Sequence, residues 1–421
     1  MFTFLVQVLD LVVYQKAGLF LVFFLMSWSV YLIKLYMSRK YRSFPMSDED
    51  CKFPAVSIII PVVDEKPEVW RRTLYDIERA CDGLEHQVIV VPNGEFSEQN
   101  ARAAEQQGFE LIKIPQASKR LAVEAGTRRV KHPITIILDS DTFATSDSIK
   151  NLLPVFQDAQ IGGATPKHEI FNREPLMRRI SNWLEDLRFN EVLKGQSVNG
   201  AVSCLPGRMF AIRTPLLKSF VADLATQTFL GAPCYSGDDR YLTSRLLKEG
   251  YQTVYQSKSL VYTDAPDTLK GFAKQRLRWS RTSLRETILS VPWTFKYPYM
   301  TFTVFINVIM RWFFFAVAIN AISIWTGFRD VDFFIWQQYP ELSTPLFIIS
   351  GVILGFFISG FFKQLGHLLR YPEDILYLPA FLIITTFVLT PVEWYGNLSL
   401  RETGWMTRRV EYNTQLQSNS G

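Results

Sequence analysis

Residues 134–141 read Ile134-Thr135-Ile136-Ile137-Leu138-Asp139-Ser140-Asp141. Four of the first five side chains are apolar, and the run stops abruptly in two carboxylates one residue apart. Flanked by Pro133 and by polar residues, a continuous apolar run of this length suits a strand buried on both faces of an α/β sheet. In open α/β sheets, ligands bind outside the carboxyl ends of such strands, which is where Asp139 and Asp141 fall. Alternate side chains of an extended chain share a face. Carboxylates there can hold Mg²⁺ or Mn²⁺, hard cations that take oxygen ligands and often arrive with substrate phosphates. The plainer reading of the pair is a strand ending in polar turn residues, so the rest of the chain has to decide.

Outward from this stretch the composition is uneven. The 33 Phe of the 421 residues lie mostly near the two ends, so the ends read as membrane and the middle as soluble. Residues 1–15, interrupted by Gln7 and Asp10, suit an interfacial helix. Residues 17–37 make an apolar span, and Lys34, Arg39, Lys40 and Arg42 at its end place the following domain in the cytoplasm. The net charge of +5 accords with that side of a membrane and with phosphate-bearing substrates. With no zinc-finger spacing and no dense basic block, no nucleic-acid partner is expected. Cys51, Cys81, Cys204 and Cys234 are too scattered for a disulfide framework.

Residues 43–267 read as an α/β domain with a mostly parallel central sheet. Strands are expected at 53–63, 86–91, 109–115, 134–138, 208–213 and 253–262, and helices at 67–82, 97–107 and 119–130. Asp64 and Glu65 end the first strand, and Pro92-Asn93-Gly94 the second. Residues 175–194 form a long helix with Met177, Ile180, Leu184 and Leu187 on one face, fit to pack on the sheet or to lie under a membrane. Gly237-Asp238-Asp239-Arg240 opens a further helix, where aspartates are favourable as caps whatever else they do. Residues 268–295 carry a basic amphipathic helix suited to the interface, whose arginines can clamp a diphosphate.

The membrane region, 296–400, begins with a span over 303–325 that contains Asn307, Arg311 and Asn320. An arginine there is costly unless it faces a polar interior, so Arg311 is expected to line a polar channel. A second span is read at 345–362. Residues 375–396 are apolar but contain Pro379, Pro391 and Glu393, with basic residues on both sides. They are expected to form a broken re-entrant or interfacial helix, giving three spans and a cytosolic tail over 401–421. The scattered histidines His86, His132, His168 and His367 have no Ser or Cys partner at recognisable spacing and read as ordinary surface or cap residues.

Taken in order, Val62-Val63-Asp64-Glu65, Lys119-Arg120, Asp139-Ser140-Asp141, Gly237-Asp238-Asp239-Arg240, Gln275-Arg276-Leu277-Arg278-Trp279 and Trp405-Met406-Thr407-Arg408 closely resemble the motifs of the processive family 2 glycosyltransferases, the hyaluronan, chitin and cellulose synthases. The resemblance covers almost the whole chain. Within the family, Ile59–Glu65, Cys204–Arg208 and Val261–Pro266 are most similar to the bacterial type 3 capsular polysaccharide synthases. Met406 stands where hyaluronan synthases carry Gly.

The resemblance implies a GT-A glycosyltransferase domain in the cell membrane that polymerises glucose and glucuronic acid from UDP-glucose and UDP-glucuronate and passes the polysaccharide across the bilayer. A hyaluronan synthase using UDP-GlcNAc and UDP-glucuronate, or a non-processive membrane glycosyltransferase, are the alternatives. It also implies the roles. Asp239, preceded by Asp238, is the base; Asp141 holds the metal, with Asp139 beside it. Asp64, Glu65, Asn93, Lys119, Arg120, Gln275 and Arg278 serve the UDP-sugar. Trp279 lies under the acceptor, with Cys204, Pro206 and Gly207 at its mouth. Trp405 and Arg408 close over the nucleotide. So few spans leave room for a homo-oligomer to complete the pore.

Overall fold

A computed structural model describes residues 18–45, 53–326 and 345–402. Its strands are β1 (Val56–Val62), β2 (His86–Pro92), β3 (Glu110–Leu111), β4 (Ile134–Leu138), β5 (Thr142–Ala144), β6 (Ile161–Ile170), β7 (Met209–Arg213) and β8 (Gln252–Thr263). They join in one sheet in the order β3-β2-β1-β4-β7-β6-β8-β5. All five residues of β4 are buried, as its unbroken apolar run requires. The pleat sends Ile134, Ile136 and Leu138 into a core with Trp70, Leu74 and Ile77. It sends Ile137 to the opposite face, with Leu217, Phe220 and Phe210. Each such side chain contributes about 1.5–3 kcal/mol by leaving water, so the end of β4 is a rigid place from which to present carboxylates.

The expectation of a mostly parallel sheet holds only for the first half. β3, β2, β1 and β4 run parallel, but β7 runs antiparallel to both β4 and β6, and β5 antiparallel to β8; the sheet is mixed. The reason lies in the connection. After β6 the chain leaves the sheet in a long helix and returns by the Val198–Arg208 loop to the edge where β4 ends, with Leu138 paired to Met209. A strand starting there has to run back down, and apolar patterning carries no direction.

The longer helices are α1 (Gly18–Lys40), α2 (Pro67–Ala80), α3 (Glu98–Gln106), α4 (Lys119–Thr127), α5 (Leu176–Leu187), α6 (Thr214–Thr226), α7 (Asp238–Lys248), α8 (Leu269–Thr294), α9 (Pro298–Trp325) and α10 (Pro345–Leu368). The expected strand at 109–115 contracts to β3 and an isolated Asn93–Ile114 bridge. The expected 175–194 helix is α-helical only to Leu187 and continues as a π-helix over Arg188–Leu193. Met177, Ile180 and Trp183 of α5 pack on Phe272 of α8 and on Leu368, Leu378 and Phe381. That face therefore joins the sheet domain to the C-terminal helices.

Among the described residues, three segments are long and apolar enough to cross a membrane: Leu19–Lys40, Pro298–Ser323 and Pro372–Leu398. The chain is a multi-pass membrane protein. The last of the three is the stretch read as a broken helix. Its prolines sit at the starts of helical pieces, Leu378–Ile384 and Thr390–Leu398, joined by a π-helical turn over Thr385–Leu389. Polar groups inside these helices find partners. Lys34 Nζ donates to Asn307 Oδ1 at 2.9 Å, and Arg311 Nε lies 2.8 Å from Glu393 Oε2.

Candidate active site

The carboxyl end of β4 opens into a cavity of about 1100 Å³ that Asp139 and Asp141 line. Lys119 enters it from the first turn of α4, which Ser118 caps by accepting from the Leu121 N–H. Its ammonium lies 2.7 Å from Asp139 Oδ1 and 3.1 Å from Asp238 Oδ2. Burial would lower the Lys119 pKa, but Asp139 and Asp238 reverse this and raise it. Burial would likewise raise Asp238, but Lys119 and Arg120 bring it down. This strand end therefore carries fixed opposite charges, stronger here than in water.

The second acidic pair is placed by one glycine. Gly237 has φ +85°, and a Cβ on it would stand 2.1 Å from Thr282 Cγ2 of α8. Only glycine meets both demands, and it lets the start of α7 sit directly on α8. Asp239 Oδ2 then accepts from the Gly207 N–H at 3.0 Å and from Cys204 Sγ at 3.6 Å, and Oδ1 accepts from the Arg240 N–H at 2.8 Å. The Asp239 carboxylate is thus held in one orientation with its face to the cavity. Burial and Asp239 push the Cys204 thiol up to about 12, so it stays a thiol donor and is no nucleophile.

Helix α8 lines the opposite wall with Gln275, Arg276, Arg278 and Trp279. Residues two apart on a helix point about 200° apart, and the two arginines part company accordingly. Burial lowers Arg278, while Asp139, Asp239, Asp238 and Asp141 draw it back. The charged neighbours of Arg276 are instead Glu185, Arg208, Glu393 and Arg188; burial leads in lowering it, to about 10, so it remains cationic at neutral pH. Trp279 carries the Arg276 guanidinium at 4.9 Å and that of Arg208 at 5.5 Å from its ring centre. Beyond Trp279 the same cavity reaches Lys34, Asn307, Arg311 and Glu393 on the apolar helices, which is where Arg311 was expected.

Asn93, Pro206 and Gly207 also line the cavity, and Asn93 Oδ1 is buried with no hydrogen-bond partner. Three expected nucleotide ligands lie elsewhere. Arg120 is buried and donates to Leu224 O at 2.9 Å, Gln227 Oε1 at 2.7 Å and Ser236 O at 2.8 Å, so it braces the loop before α7 and does not line the cavity. Asp64 accepts from the Ser97 N–H and Asn100 Nδ2, capping the α3 region. Glu65 accepts from Ser140 Oγ at 2.8 Å and supports the Asp139–Asp141 turn from behind. Trp405 and Arg408 lie outside the described residues.

The reading of all four histidines as surface or cap residues fails for two. His168 is buried beside Phe189; burial and Arg208 hold it well below 6.5, hence neutral. His367 is buried between Asp186, 2.9 Å from Nδ1, and Asp374, 2.8 Å from Nε2. The sequence reading also missed Glu185. It is 1% exposed behind Arg188, Arg208 and Arg276, with Arg208 at 3.4 Å and Arg188 at 3.7 Å. Burial would raise it, but these three guanidiniums bring it down to about 2. Its Glu185–Arg188 spacing resembles any solvated i,i+3 pair and so carries no mark of burial.

The donors at the β4 edge are carboxylate oxygens, the set that Mg²⁺ or Mn²⁺ prefers. Among the described residues no group of three His, Cys, Asp or Glu is placed to hold an ion. Asp139 and Asp141 therefore fit a metal that brings the rest of its coordination with its substrate.

The profile of the glycosyltransferase like family 2 matches residues 54–282. A hyaluronan synthase of Streptococcus pyogenes is 27% identical over 390 residues, spanning 90% of this chain and 88% of that protein. An N-acetylglucosaminyltransferase of Rhizobium meliloti is 30% identical over 246 residues, 57% of this chain and 58% of that one. Among solved structures, a mannosyltransferase of Pyrobaculum calidifontis superposes with a TM-score of 0.60 at 15% identity, covering 91% of this chain and 98% of that one. That likeness speaks to the fold, a GT-A-like one with a mixed sheet.

Proposed function

We propose that this chain, which belongs to the glycosyltransferase like family 2, is a processive inverting β-glycosyltransferase that builds an alternating uronate-containing polysaccharide and passes it into the membrane. The chain is an enzyme, a UDP-sugar-dependent glycosyltransferase. The observation that carries the polymer reading is the single cavity that runs from Asp139, Asp141 and Asp239 past Trp279 to Lys34, Asn307 and Arg311 of the apolar helices. A grown sugar chain cannot cross lipid unaided, and this passage begins at the acceptor position.

The reaction is attack by an acceptor hydroxyl on the anomeric carbon of the UDP-sugar, with UDP departing from the opposite face. Asp239, aimed by the Gly207 and Arg240 N–H groups, takes the hydroxyl proton as the new bond forms. Lys119 and Arg278 stand among the aspartates where the diphosphate charge develops and offset it. Trp279 supplies the flat face on which the acceptor sugar lies, and Asn93 Oδ1 is a free acceptor for the base of the nucleotide. Asp141, helped by Asp139, would hold Mg²⁺ or Mn²⁺, which when bound supplies further positive charge for the diphosphate. The sheet domain lies on the cytoplasmic side, where UDP-sugars are made.

For the sugar pair, the relative matched over 90% of this chain favours N-acetylglucosamine with glucuronate. The Ile59–Glu65, Cys204–Arg208 and Val261–Pro266 stretches keep glucose with glucuronate as the second reading. Purified protein in lipid, given Mg²⁺ or Mn²⁺ and UDP-GlcA paired with UDP-GlcNAc or with UDP-Glc, decides between them by the size and composition of the product. Only short or single additions with every pair would sink the processive reading. In the same assay Asp239→Asn is expected to lower transfer by about 10²–10⁴-fold while UDP affinity is kept; a variant that still makes polymer at the wild-type rate removes Asp239 as base.

A further inference from the structure

Arg276 sits in the cavity near Glu185, Arg208, Glu393 and Arg188, away from the aspartates that surround Arg278. Its Nε and Nη2 are buried and have no hydrogen-bond partner, and Arg208 Nη1 beside it makes no hydrogen bond, only an ion pair to Glu185 at 3.4 Å. Behind them, three guanidiniums, from Arg188, Arg208 and Arg276, share the carboxylate of Glu185, while Glu393, the other carboxylate near Arg276, is paired with Arg311. His168, neutral, adds no charge. A buried excess of positive charge with unused N–H donors is costly unless something arrives to use it. The walls of the cavity hold these donors next to the aromatic floor on which a sugar would lie.

We propose that Arg276, with Arg208 beside it, forms a carboxylate-binding subsite for a uronate residue of the acceptor chain. The proposal rests on the polysaccharide reading above and deepens it, by naming which sugar of the acceptor the enzyme recognises by charge. A planar guanidinium with Nε and Nη2 free offers two parallel donors, the geometry that a carboxylate takes bidentately. The donor's diphosphate is the other anion that could come here. Its place is at the β4 end of the cavity, where Lys119 and Arg278 stand among Asp139, Asp141, Asp238 and Asp239. Neutral hydroxyls could accept from the same N–H groups, but they would leave the excess charge uncompensated. Arg276 is thus a specificity-determining residue that touches the acceptor, with Glu185 positioning the three guanidiniums from behind.

The test uses the full-length enzyme in lipid nanodiscs, loaded with UDP. Its ligands are an alternating oligosaccharide ending in uronate and the same oligosaccharide with that terminal carboxylate methyl-esterified. The wild type is expected to bind the acid about tenfold more tightly than the ester. Arg276→Gln is expected to bind both alike, and Arg276→Lys, which keeps the charge but not the fork, to keep part of the preference. UDP affinity of each variant, measured on the same preparation, should match the wild type. A wild type that does not distinguish acid from ester overturns the subsite, as does a full preference surviving in Arg276→Gln. A fall in UDP affinity for Arg276→Gln as large as that for Arg278→Gln would assign Arg276 to the diphosphate and overturn it as well. Polymer formation by the same wild-type preparation is scored separately. Polymer without acid preference breaks only the subsite, whereas acid preference without polymer breaks the processive reading and leaves the subsite standing.

Discussion

Glu185 and Asp186 are neighbours on α5, and each anchors a buried cluster of charges, but the two clusters are built to opposite rules. On the Asp186 side every carboxylate oxygen has a donor. Arg370 and Asn190 serve Oδ1 of Asp186, and His367 with Arg370 serves its Oδ2. Arg179 serves Oδ1 of Asp374, and His367 with Arg173 its Oδ2. Trp183 stacks on the His367 ring at 4.3 Å and on Phe381 at 4.2 Å, closing the cluster. On the Glu185 side the carboxylate oxygens make only the longer ion pairs to Arg208 and Arg188 and no hydrogen bond, and Arg276 Nε and Nη2 bond to nothing. The first cluster leaves only Arg179 Nε without a partner; its carboxylates are fully served, and it joins the sheet domain to the C-terminal helices. The second is open and lines the cavity. A satisfied buried network specifies structure, whereas an unsatisfied one is held in place by the rest of the fold and points to a ligand.

The contrast breaks most readily on the closed side. Asp374→Asn keeps the shape but removes the buried charge that His367, Arg179 and Arg173 share and turns an amide N–H₂ toward their donors, although each keeps a second carboxylate in Asp186, Glu174 and Glu373. Weakening three charge-assisted hydrogen bonds is expected to cost about 3–5 kcal/mol, read as a large fall in the temperature at which the detergent-solubilised protein loses its fold. Activity measured well below that temperature should fall much less, since none of these residues lines the cavity. A variant as stable as the wild type would mean that the cluster holds nothing together.

Glu185→Gln tests the open side and should show a pH signature. Burial opposes ionisation of Glu185, but the three guanidiniums win and hold its pKa at about 2, against an ordinary 4.5. Its charged form therefore stabilises the fold fully above about pH 4.5, and the contribution drains away as pH falls toward 2. Its size is about 3 kcal/mol from a shift of this order. The wild type should be more stable than Glu185→Gln at pH 7, with the gap narrowing as pH falls below about 4.5. A gap that does not change with pH would show that Gln differs from Glu there by packing alone.

How much of this was legible beforehand follows from what periodicity can carry. The β4 run with Asp139 and Asp141, the Asp238–Asp239 start of α7 and the Gln275–Trp279 helix could be read, because a buried strand, a capped helix and a short spaced motif leave local marks. All of them reach one cavity. Strand direction left no mark, so β7 came as a reversal fixed by the Val198–Arg208 return. The resemblance implied a nucleotide role for Arg120 along with Lys119, yet one residue along a helix turns a side chain by about 100°, and it points to Ser236 instead. His367 and Glu185 were invisible for a shared reason. Their partners lie 181 residues away in one case, Asp186, and beyond the helix in the other, Arg208 and Arg276. Only the tertiary fold turns an ordinary polar residue into a buried one.

The smallest expected effect is the sharpest discriminator between the two clusters. If the open cluster awaits a ligand, Arg276 contributes little to stability on its own, because its Nε and Nη2 bond to nothing and its guanidinium sits near those of Arg208 and Arg188. Removing a third cation from a group that shares one carboxylate relieves repulsion while giving up the contact with the Trp279 face, a contact worth about 0.5–2 kcal/mol. The two changes oppose each other. Arg276→Gln should therefore shift the stability of the ligand-free protein by no more than about 1 kcal/mol, measured beside Asp374→Asn under the same conditions. A loss comparable to that of Asp374→Asn would make Arg276 a structural member of a closed network, and the distinction between the two sides of α5 would disappear.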